Sequence, residues 1–98
     1  MSTDIKQIFE LTGELKAGEK ELLENAYAFA EKAHEGQKRH SGDPYFVHVF
    51  ETAKILASLG MDAKTIAAGF MHDVLEDTEI QESEMEEKFG KDIVFLVN

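Results

Sequence analysis

The sequence of 98 residues contains no cysteine and no tryptophan, and its only proline is Pro44. Without cysteine, disulfide bonds, thiolate chemistry and zinc sites with cysteine ligands are excluded. The scarcity of proline, and the lack of any run in which apolar and polar residues alternate, favours an all-α chain over a β-sheet protein. The length is sufficient for one domain and leaves no room for a second fold.

Basic residues are also scarce, since 10 Lys and Arg stand against 20 Asp and Glu and give a formal net charge of −10. Broad binding to a nucleic-acid backbone needs a basic face, so no nucleic-acid partner is expected. No stretch approaches the roughly 18 consecutive apolar residues of a membrane span, and no signal peptide is visible. We therefore expect a cytoplasmic protein with no membrane partner. A small anionic ligand remains compatible with this charge if a metal ion or a local basic cluster offsets it.

Apolar periodicity predicts about five to six helices. Residues 1–17 are expected to hold an N-terminal helix, and residues 18–98 the rest of a helical bundle. The fourth helix, residues 63–72, is apolar or small throughout its second half, which is typical of a buried central helix. The candidate N-terminal caps of the third, fourth and fifth helices are Asp43, Asp62 and Ser83.

Two apolar surfaces have few expected partners within this chain. In the third helix, Ile55 and Leu59 lie opposite the main apolar stripe, which predicts a helix packed between neighbours on both sides. Five consecutive apolar residues, 93–97, stand just before the last residue of the sequence. We therefore expect these 98 residues to be a piece of a longer polypeptide, and the chain by itself to form a homodimer or to aggregate.

The strongest chemical signal is the pair His72-Asp73 at the end of the apolar fourth helix. An ionised aspartate delivered by an apolar helix is costly unless it is paired or binds a metal. Histidine and carboxylate ligands suit Mn, Fe, Co or Zn, and His48 on the adjacent helix would complete a partial three-ligand site. The alternative is that His72 is a hydrogen-bonded core histidine and that Asp73 caps the following turn.

A second signal is the loop 38–42, Lys-Arg-His-Ser-Gly, which is basic within an acidic chain. Ser41 and backbone amides near a helix start could add hydrogen-bond donors for a phosphate. Tyr45 could stack on a base or a sugar. The alternatives are a solvated loop and a Tyr45 that belongs to the core. His34 is interpreted as an ordinary residue of the last turn of its helix, although it stands close to this loop.

Residues 26–78 resemble the hydrolase domain of the RelA/SpoT family, within the larger class of HD-domain phosphohydrolases. The resemblance rests on Ala33-His34-Glu35-Gly36-Gln37, Arg39, Ser41-Gly42-Asp43-Pro44-Tyr45, His48, and the string from Ala67 to Thr78; residues 89–94 extend it. It implies an all-α HD-domain bundle, of which this chain would be the N-terminal part.

The resemblance also implies an activity. Such domains use a bound Mn²⁺ to hydrolyse the 3′-pyrophosphate of (p)ppGpp, a nucleotide of the stringent response, to GDP or GTP and pyrophosphate. The implied roles are metal binding by His48, His72 and Asp73, catalysis by Glu76 and Asp77, and substrate binding by Arg39, Ser41 and Tyr45.

Two departures from the family stand at His40, where a basic residue is common, and at Val49, where proline is frequent. The family's fourth metal ligand, an aspartate on a later helix, has no counterpart in this sequence. We therefore expect the parent protein to be the enzyme and this chain alone to be inactive. The alternatives are a general HD-domain nucleotide phosphohydrolase and a non-catalytic regulatory or interaction fragment.

Overall fold

The computed structural model describes residues 3–98, which form helices and no β-strand. The all-α prediction is confirmed, and the seven helices within residues 3–98 include a single helical turn, α5, beyond the five to six that the sequence predicts. The first two residues of the expected N-terminal segment, Met1 and Ser2, lie outside the described residues. The helices are α1 (Lys6–Thr12), α2 (Glu19–Ala33), α3 (Tyr45–Ser58), α4 (Ala63–Met71), α5 (Val74–Asp77), α6 (Glu82–Phe89) and α7 (Lys91–Val97).

Helix α4 is the centre of the fold, as its apolar sequence predicts. Every residue from Ile66 to Met71 is buried, and the helix packs against α2, α3 and α7. At Gly69 the side of α3 lies so close that an added Cβ would overlap Leu56. Glycine at this position therefore lets α3 and α4 approach closely, which brings the end of α4 next to the beginning of α3.

An aromatic cluster joins α2, α3 and α4. The ring of Tyr27 lies edge-on to Phe46 and Phe70, with ring centroids 5.0 and 5.8 Å apart. Such edge-to-face pairs stabilise a core beyond the area that they bury. The Tyr27 hydroxyl donates a hydrogen bond to the carbonyl oxygen of Thr3 at 2.8 Å, and Ile8 of α1 is fully buried. The N-terminal segment therefore shares the core of the remaining helices.

The cap predicted for α4 is present, whereas the other two are not. The Asp62 carboxylate accepts a hydrogen bond from the backbone N–H of Thr65 at 2.9 Å. The Asp43 prediction was wrong because its carboxylate accepts a hydrogen bond from the Ser41 hydroxyl, and Pro44 takes the cap position of α3 without a side-chain bond. The Ser83 prediction was wrong because α6 already begins at the preceding residue.

Within residues 3–98, no neighbouring helix covers the second apolar side of α3, for which the sequence predicts few partners in this chain. Ile55 is 58% exposed and Leu59 is 64% exposed, so the second apolar side of α3 faces solvent. In α7, Ile93 and Val94 are buried while Phe95 is 80% exposed. Among residues 3–98, no helix has both the length and the apolar character needed to cross a membrane.

Candidate functional site

The junction between α4 and α5 presents the two adjacent candidate ligands. Helix α4 ends at Met71 and α5 begins at Val74, so His72 and Asp73 form the turn between them. Nδ1 of His72 lies 2.7 Å from the carbonyl oxygen of Gly69. Because a carbonyl oxygen only accepts hydrogen bonds, Nδ1 carries a proton, and Nε2 is the ring nitrogen that could face a metal ion. A hydrogen bond of this kind orients histidines that bind metals.

Helix α3 brings His48 to the same place. Nε2 of His72 lies 2.9 Å from Oδ2 of Asp73, and Nε2 of His48 lies 3.8 Å from that oxygen. One ligand atom from each residue lies within 4.8 Å of the other two. Two ligand atoms that are each about 2.1 Å from one ion are about 3.0–3.6 Å apart. The distance of 2.9 Å between His72 and Asp73 is close to this range, and a small shift of His48 toward them would let the three residues hold a divalent metal ion.

The alternative interpretations of these two residues do not agree with the structure. The side chain of His72 is 34% exposed, so it is not a core histidine. Asp73 precedes α5 but makes no side-chain cap bond to it. Instead, its carboxylate lies between the two histidines.

The environment of His48 favours the neutral imidazole. Partial burial lowers the pKa of His48, and the positive charge of Arg39 lowers it further. His72 and His34 act in the same direction, while Asp73 opposes them. Since only a neutral imidazole can bind a metal ion, the lowered pKa widens the pH range in which His48 can be a ligand.

Tyr45, at the start of α3, contacts two of the candidate carboxylates. Its hydroxyl oxygen lies 2.7 Å from Oδ2 of Asp73 and 2.9 Å from Oδ2 of Asp77. Burial, together with these carboxylates, raises the pKa of Tyr45 far above its ordinary value, so the phenol stays protonated and donates. Its ring stacks on that of His34, with centroids 4.8 Å apart and planes 27° apart.

The basic loop forms a cavity of about 760 Å³ beside this cluster. The loop is closed by backbone hydrogen bonds from Tyr45 to Gln37 and from Arg39 to Asp43, at 2.8 and 2.9 Å. The cavity is lined by Gln37, Lys38, Arg39, His40, Ser41, Tyr45 and Asp77. The three residues predicted to bind substrate therefore lie in one cavity, which reaches the candidate catalytic Asp77.

The two candidate catalytic carboxylates differ in their surroundings. Asp77 accepts a hydrogen bond from Tyr45, as described above. Glu76, its neighbour in α5, is exposed, and its side chain makes no hydrogen bond or ion pair within residues 3–98. The structure therefore connects Asp77 directly to the cluster and leaves the side chain of Glu76 at the surface. Their catalytic roles stay predictions.

The contact between His34 and Gln37 was not predicted from the sequence. His34 is 2% exposed, and its Nδ1 lies 2.7 Å from Oε1 of Gln37. The three-residue spacing of this pair at the end of α2, next to the basic loop, is the signal that could have identified it. A further cavity, of about 1030 Å³, lies between α2 and α6 and shares Gln37 and Asp77 with the loop cavity. It was not predicted because residues distant in the sequence form its walls.

The fold is a helical bundle, and its candidate site combines His48 with the pair His72-Asp73 at the end of the central helix. The fold and this site together define a class of protein. The sequence profile of the HD domain family matches residues 26–98, and the chain belongs to that family. Its relatives are RelA/SpoT proteins, which confirms the resemblance noted from the sequence.

Three relatives illustrate the similarity. The chain is 47% identical over 76 residues to a GTP pyrophosphokinase of Streptomyces coelicolor. It is 46% identical over 77 residues to a guanosine-3′,5′-bis(diphosphate) 3′-pyrophosphohydrolase of Aquifex aeolicus. It is 47% identical over 75 residues to the bifunctional (p)ppGpp synthase/hydrolase SpoT of Escherichia coli K12. The matches cover 78%, 79% and 76% of this chain but only 9%, 11% and 11% of the relatives, so the chain spans about a tenth of their length.

Proposed function

We propose that this chain is part of a metal-dependent enzyme that hydrolyses the 3′-pyrophosphate of (p)ppGpp to GDP or GTP and pyrophosphate. The observation that carries the proposal is the cluster of His48, His72 and Asp73 beside a cavity with a basic wall. The similarity to a 3′-pyrophosphohydrolase of Aquifex and to a (p)ppGpp synthase/hydrolase of Escherichia supports it. A role in the stringent response and a cytoplasmic location follow from this substrate.

His48, His72 and Asp73 would hold the metal ion. We propose Mn²⁺, because a mixed set of imidazole and carboxylate ligands suits it, although other divalent metals accept the same set. When bound, the ion supplies a Lewis acid that neutralises charge on the phosphate oxygens. The resemblance implies a fourth ligand outside this sequence, so we expect the chain to bind Mn²⁺ more weakly than a complete domain does.

The basic loop would hold the nucleotide. The exposed Arg39 offers a planar guanidinium that can bind a phosphate through two parallel hydrogen bonds. Ser41 lines the same cavity, and its hydroxyl, which now donates to Asp43 at 3.1 Å, can rotate toward a ligand. The positive charge of this loop offsets the net negative charge of the chain where an anionic substrate would bind.

The reaction needs a proton acceptor for the attacking water. The oxygen of that water bonds to the phosphorus attached to the ribose 3′-oxygen, and the bond from this phosphorus to the 3′-oxygen breaks. Glu76, which has no competing partner, would accept the proton of the water, and the released 3′-oxygen takes up a proton to become a hydroxyl. Asp77, held by Tyr45, would orient Glu76 or a second water.

A panel of nucleotides tests this proposal in the complete protein that contains these residues. We expect ppGpp and pppGpp to give pyrophosphate with GDP and GTP, respectively, only when Mn²⁺ is present. GTP and deoxynucleoside triphosphates are the comparison substrates, and the His72→Ala variant controls for metal dependence. Preferred hydrolysis of those nucleotides would instead indicate a general nucleotide phosphohydrolase. Metal binding without turnover of any nucleotide would indicate a regulatory or interaction module.

A further inference from the structure

We propose that Tyr45 is a positioning residue, whose hydroxyl fixes the carboxylates of Asp73 and Asp77 relative to each other, and that the ring of His34 holds Tyr45 in place. The inference rests on the proposed function, in which Asp73 binds the metal ion and Asp77 assists catalysis. It differs from the expectation drawn from the sequence, which placed Tyr45 along the nucleotide as a substrate contact.

The Tyr45 hydroxyl oxygen lies 2.7 Å from Oδ2 of Asp73 and 2.9 Å from Oδ2 of Asp77. A phenol has only one hydrogen to donate, so this hydrogen is shared between the two carboxylate oxygens. Oδ2 of Asp73 is the same atom that lies 2.9 Å from Nε2 of His72. The Tyr45 hydrogen bond therefore determines how the Asp73 carboxylate is turned toward the histidines. Outer hydrogen bonds of this kind orient metal ligands.

Removal of this hydroxyl would change the electrostatic interaction between the two carboxylates. Asp73 and Asp77 would then be two carboxylates beside one another with no donor between them. Like charges at short range repel, so each side chain would turn away from its present position. The effect on Asp73 would be felt at the metal ion, and the effect on Asp77 at the water that attacks the substrate.

The Tyr45 ring has little freedom to move within the site. One face stacks on His34, and His48 meets the ring edge-on with centroids 5.7 Å apart. The backbone N–H of Tyr45 donates to the carbonyl oxygen of Gln37 at 2.8 Å, while the Gln37 side chain bonds Nδ1 of His34. His34, Gln37 and Tyr45 are therefore joined by direct contacts.

The burial of His34 has a cost in stability. Its Nε2 is the one buried side-chain nitrogen or oxygen without a hydrogen-bond partner within residues 3–98. A buried polar atom without a partner destabilises a fold, and an apolar side chain here would avoid that cost. The ring of His34 offsets part of this cost, because Nδ1 bonds Gln37 while the ring stacks on Tyr45 next to the candidate metal ligands, and an aliphatic side chain could make neither contact.

The test compares Tyr45→Phe with Tyr27→Phe in this chain. Each variant loses one hydroxyl hydrogen bond and keeps its ring, but the Tyr27 hydroxyl bonds Thr3, away from the site. We expect Tyr45→Phe to weaken Mn²⁺ binding about 10–100-fold in calorimetry, the usual effect of losing an outer partner of a ligand. The visible absorption spectrum of bound Co²⁺ should change in Tyr45→Phe and remain unchanged in Tyr27→Phe. Thermal unfolding without metal checks that both variants are folded.

The contribution of His34 is tested by His34→Leu and His34→Phe. If the ring acts by stacking on Tyr45, the leucine variant weakens Mn²⁺ binding and the phenylalanine variant restores it. Because the effect would pass through Tyr45, it should largely disappear when His34→Leu is combined with Tyr45→Phe. Fully additive losses of affinity would overturn the role assigned to His34.

The His72→Ala variant separates failure of this inference from failure of the proposed function. If His72→Ala loses Mn²⁺ binding while Tyr45→Phe matches Tyr27→Phe in affinity and Co²⁺ spectrum, the metal centre stands and the inference is wrong. If His72→Ala binds Mn²⁺ as tightly as the wild-type chain, the metal centre fails, and the inference fails with it. Selective weakening in Tyr45→Phe, together with loss in His72→Ala, supports both.

Discussion

At the scale of single residues, one carboxylate oxygen organises the candidate site. Oδ2 of Asp73 is within 4 Å of polar atoms from Tyr45, His48 and His72. The sequence predicts the histidines and Asp73 together, because two of them are adjacent at a helix end and the third lies on the inward side of a neighbouring helix. It does not predict the bonds from Tyr45, because those depend on how side chains from two distant segments are turned.

Substitution of Glu76 by Gln tests its predicted role as the proton acceptor. We expect turnover to fall about 10²–10⁴-fold while Mn²⁺ and nucleotide binding are retained, since an amide cannot accept the proton. The measurement is the single-turnover rate on ppGpp at saturating Mn²⁺ in the complete protein, with Glu87→Gln of α6 as an exposed control. Turnover at the wild-type rate would remove Glu76 from the mechanism, and loss of metal binding would make it a ligand.

At the scale of helices, the sequence predicts the positions of the helices better than their N-terminal caps. Asp62 and Asp43 are the same residue type in similar places, yet only Asp62 caps a helix. Ser41, two residues before Asp43, donates its hydroxyl hydrogen to that carboxylate and competes with the helix for it. Apolar periodicity identifies α4 as buried, whereas a local competition between polar groups is decided only in the folded chain.

Substitution of Asp62 by Ala tests the cap of the central helix. The variant should lose about 1 kcal/mol of stability, within the usual 0.5–2 kcal/mol for a lost N-terminal cap. Urea unfolding at neutral pH measures the difference. Asp43→Ala is the matched control and should lose less, because its carboxylate makes no cap bond. Equal losses in the two variants would contradict the assignment of the cap.

The same cap predicts a dependence on pH. Hydrogen bonding from the side chain and backbone of Thr65 lowers the pKa of Asp62 below its ordinary 3.8. A carboxyl group with a lowered folded pKa stabilises the fold above its unfolded pKa, and this stabilisation is lost as the pH falls through the folded value. The stability difference between wild type and Asp62→Ala should therefore be constant above about pH 5 and shrink below about pH 4. A difference that grows on acidification would contradict this sign.

At the scale of the whole molecule, the bundle was largely predictable and its exposed surfaces were not. The string from Ala67 to Thr78 and the earlier His48 are specific enough to predict an HD-type helical bundle. Periodicity within one helix shows which sides are apolar, but it cannot show whether a neighbour covers each side. Ile55 and Leu59 illustrate this limit, since their side of α3 is apolar and both residues are exposed in this chain.

These exposed residues support the expected self-association of the chain. Sedimentation velocity over a range of concentrations should detect a dimer or larger species, because exposed apolar side chains favour association. Phe95→Lys, which changes the most exposed large apolar residue, should shift the distribution toward monomer. Ser58→Lys is the control for added charge at an exposed polar position. A wild-type chain that stays monomeric at all concentrations would contradict the prediction.

The central claim is that His48, His72 and Asp73 form a metal centre. The most direct test is a calorimetric Mn²⁺ titration of the wild-type chain, of His72→Ala, and of His40→Ala as a histidine control outside the cluster. We predict one Mn²⁺ site in the wild-type chain and in His40→Ala. In His72→Ala, the affinity for Mn²⁺ should fall by more than about 100-fold, which is the most that loss of a hydrogen-bond partner of a ligand usually costs. Equal affinity in the wild-type chain and His72→Ala would contradict the account.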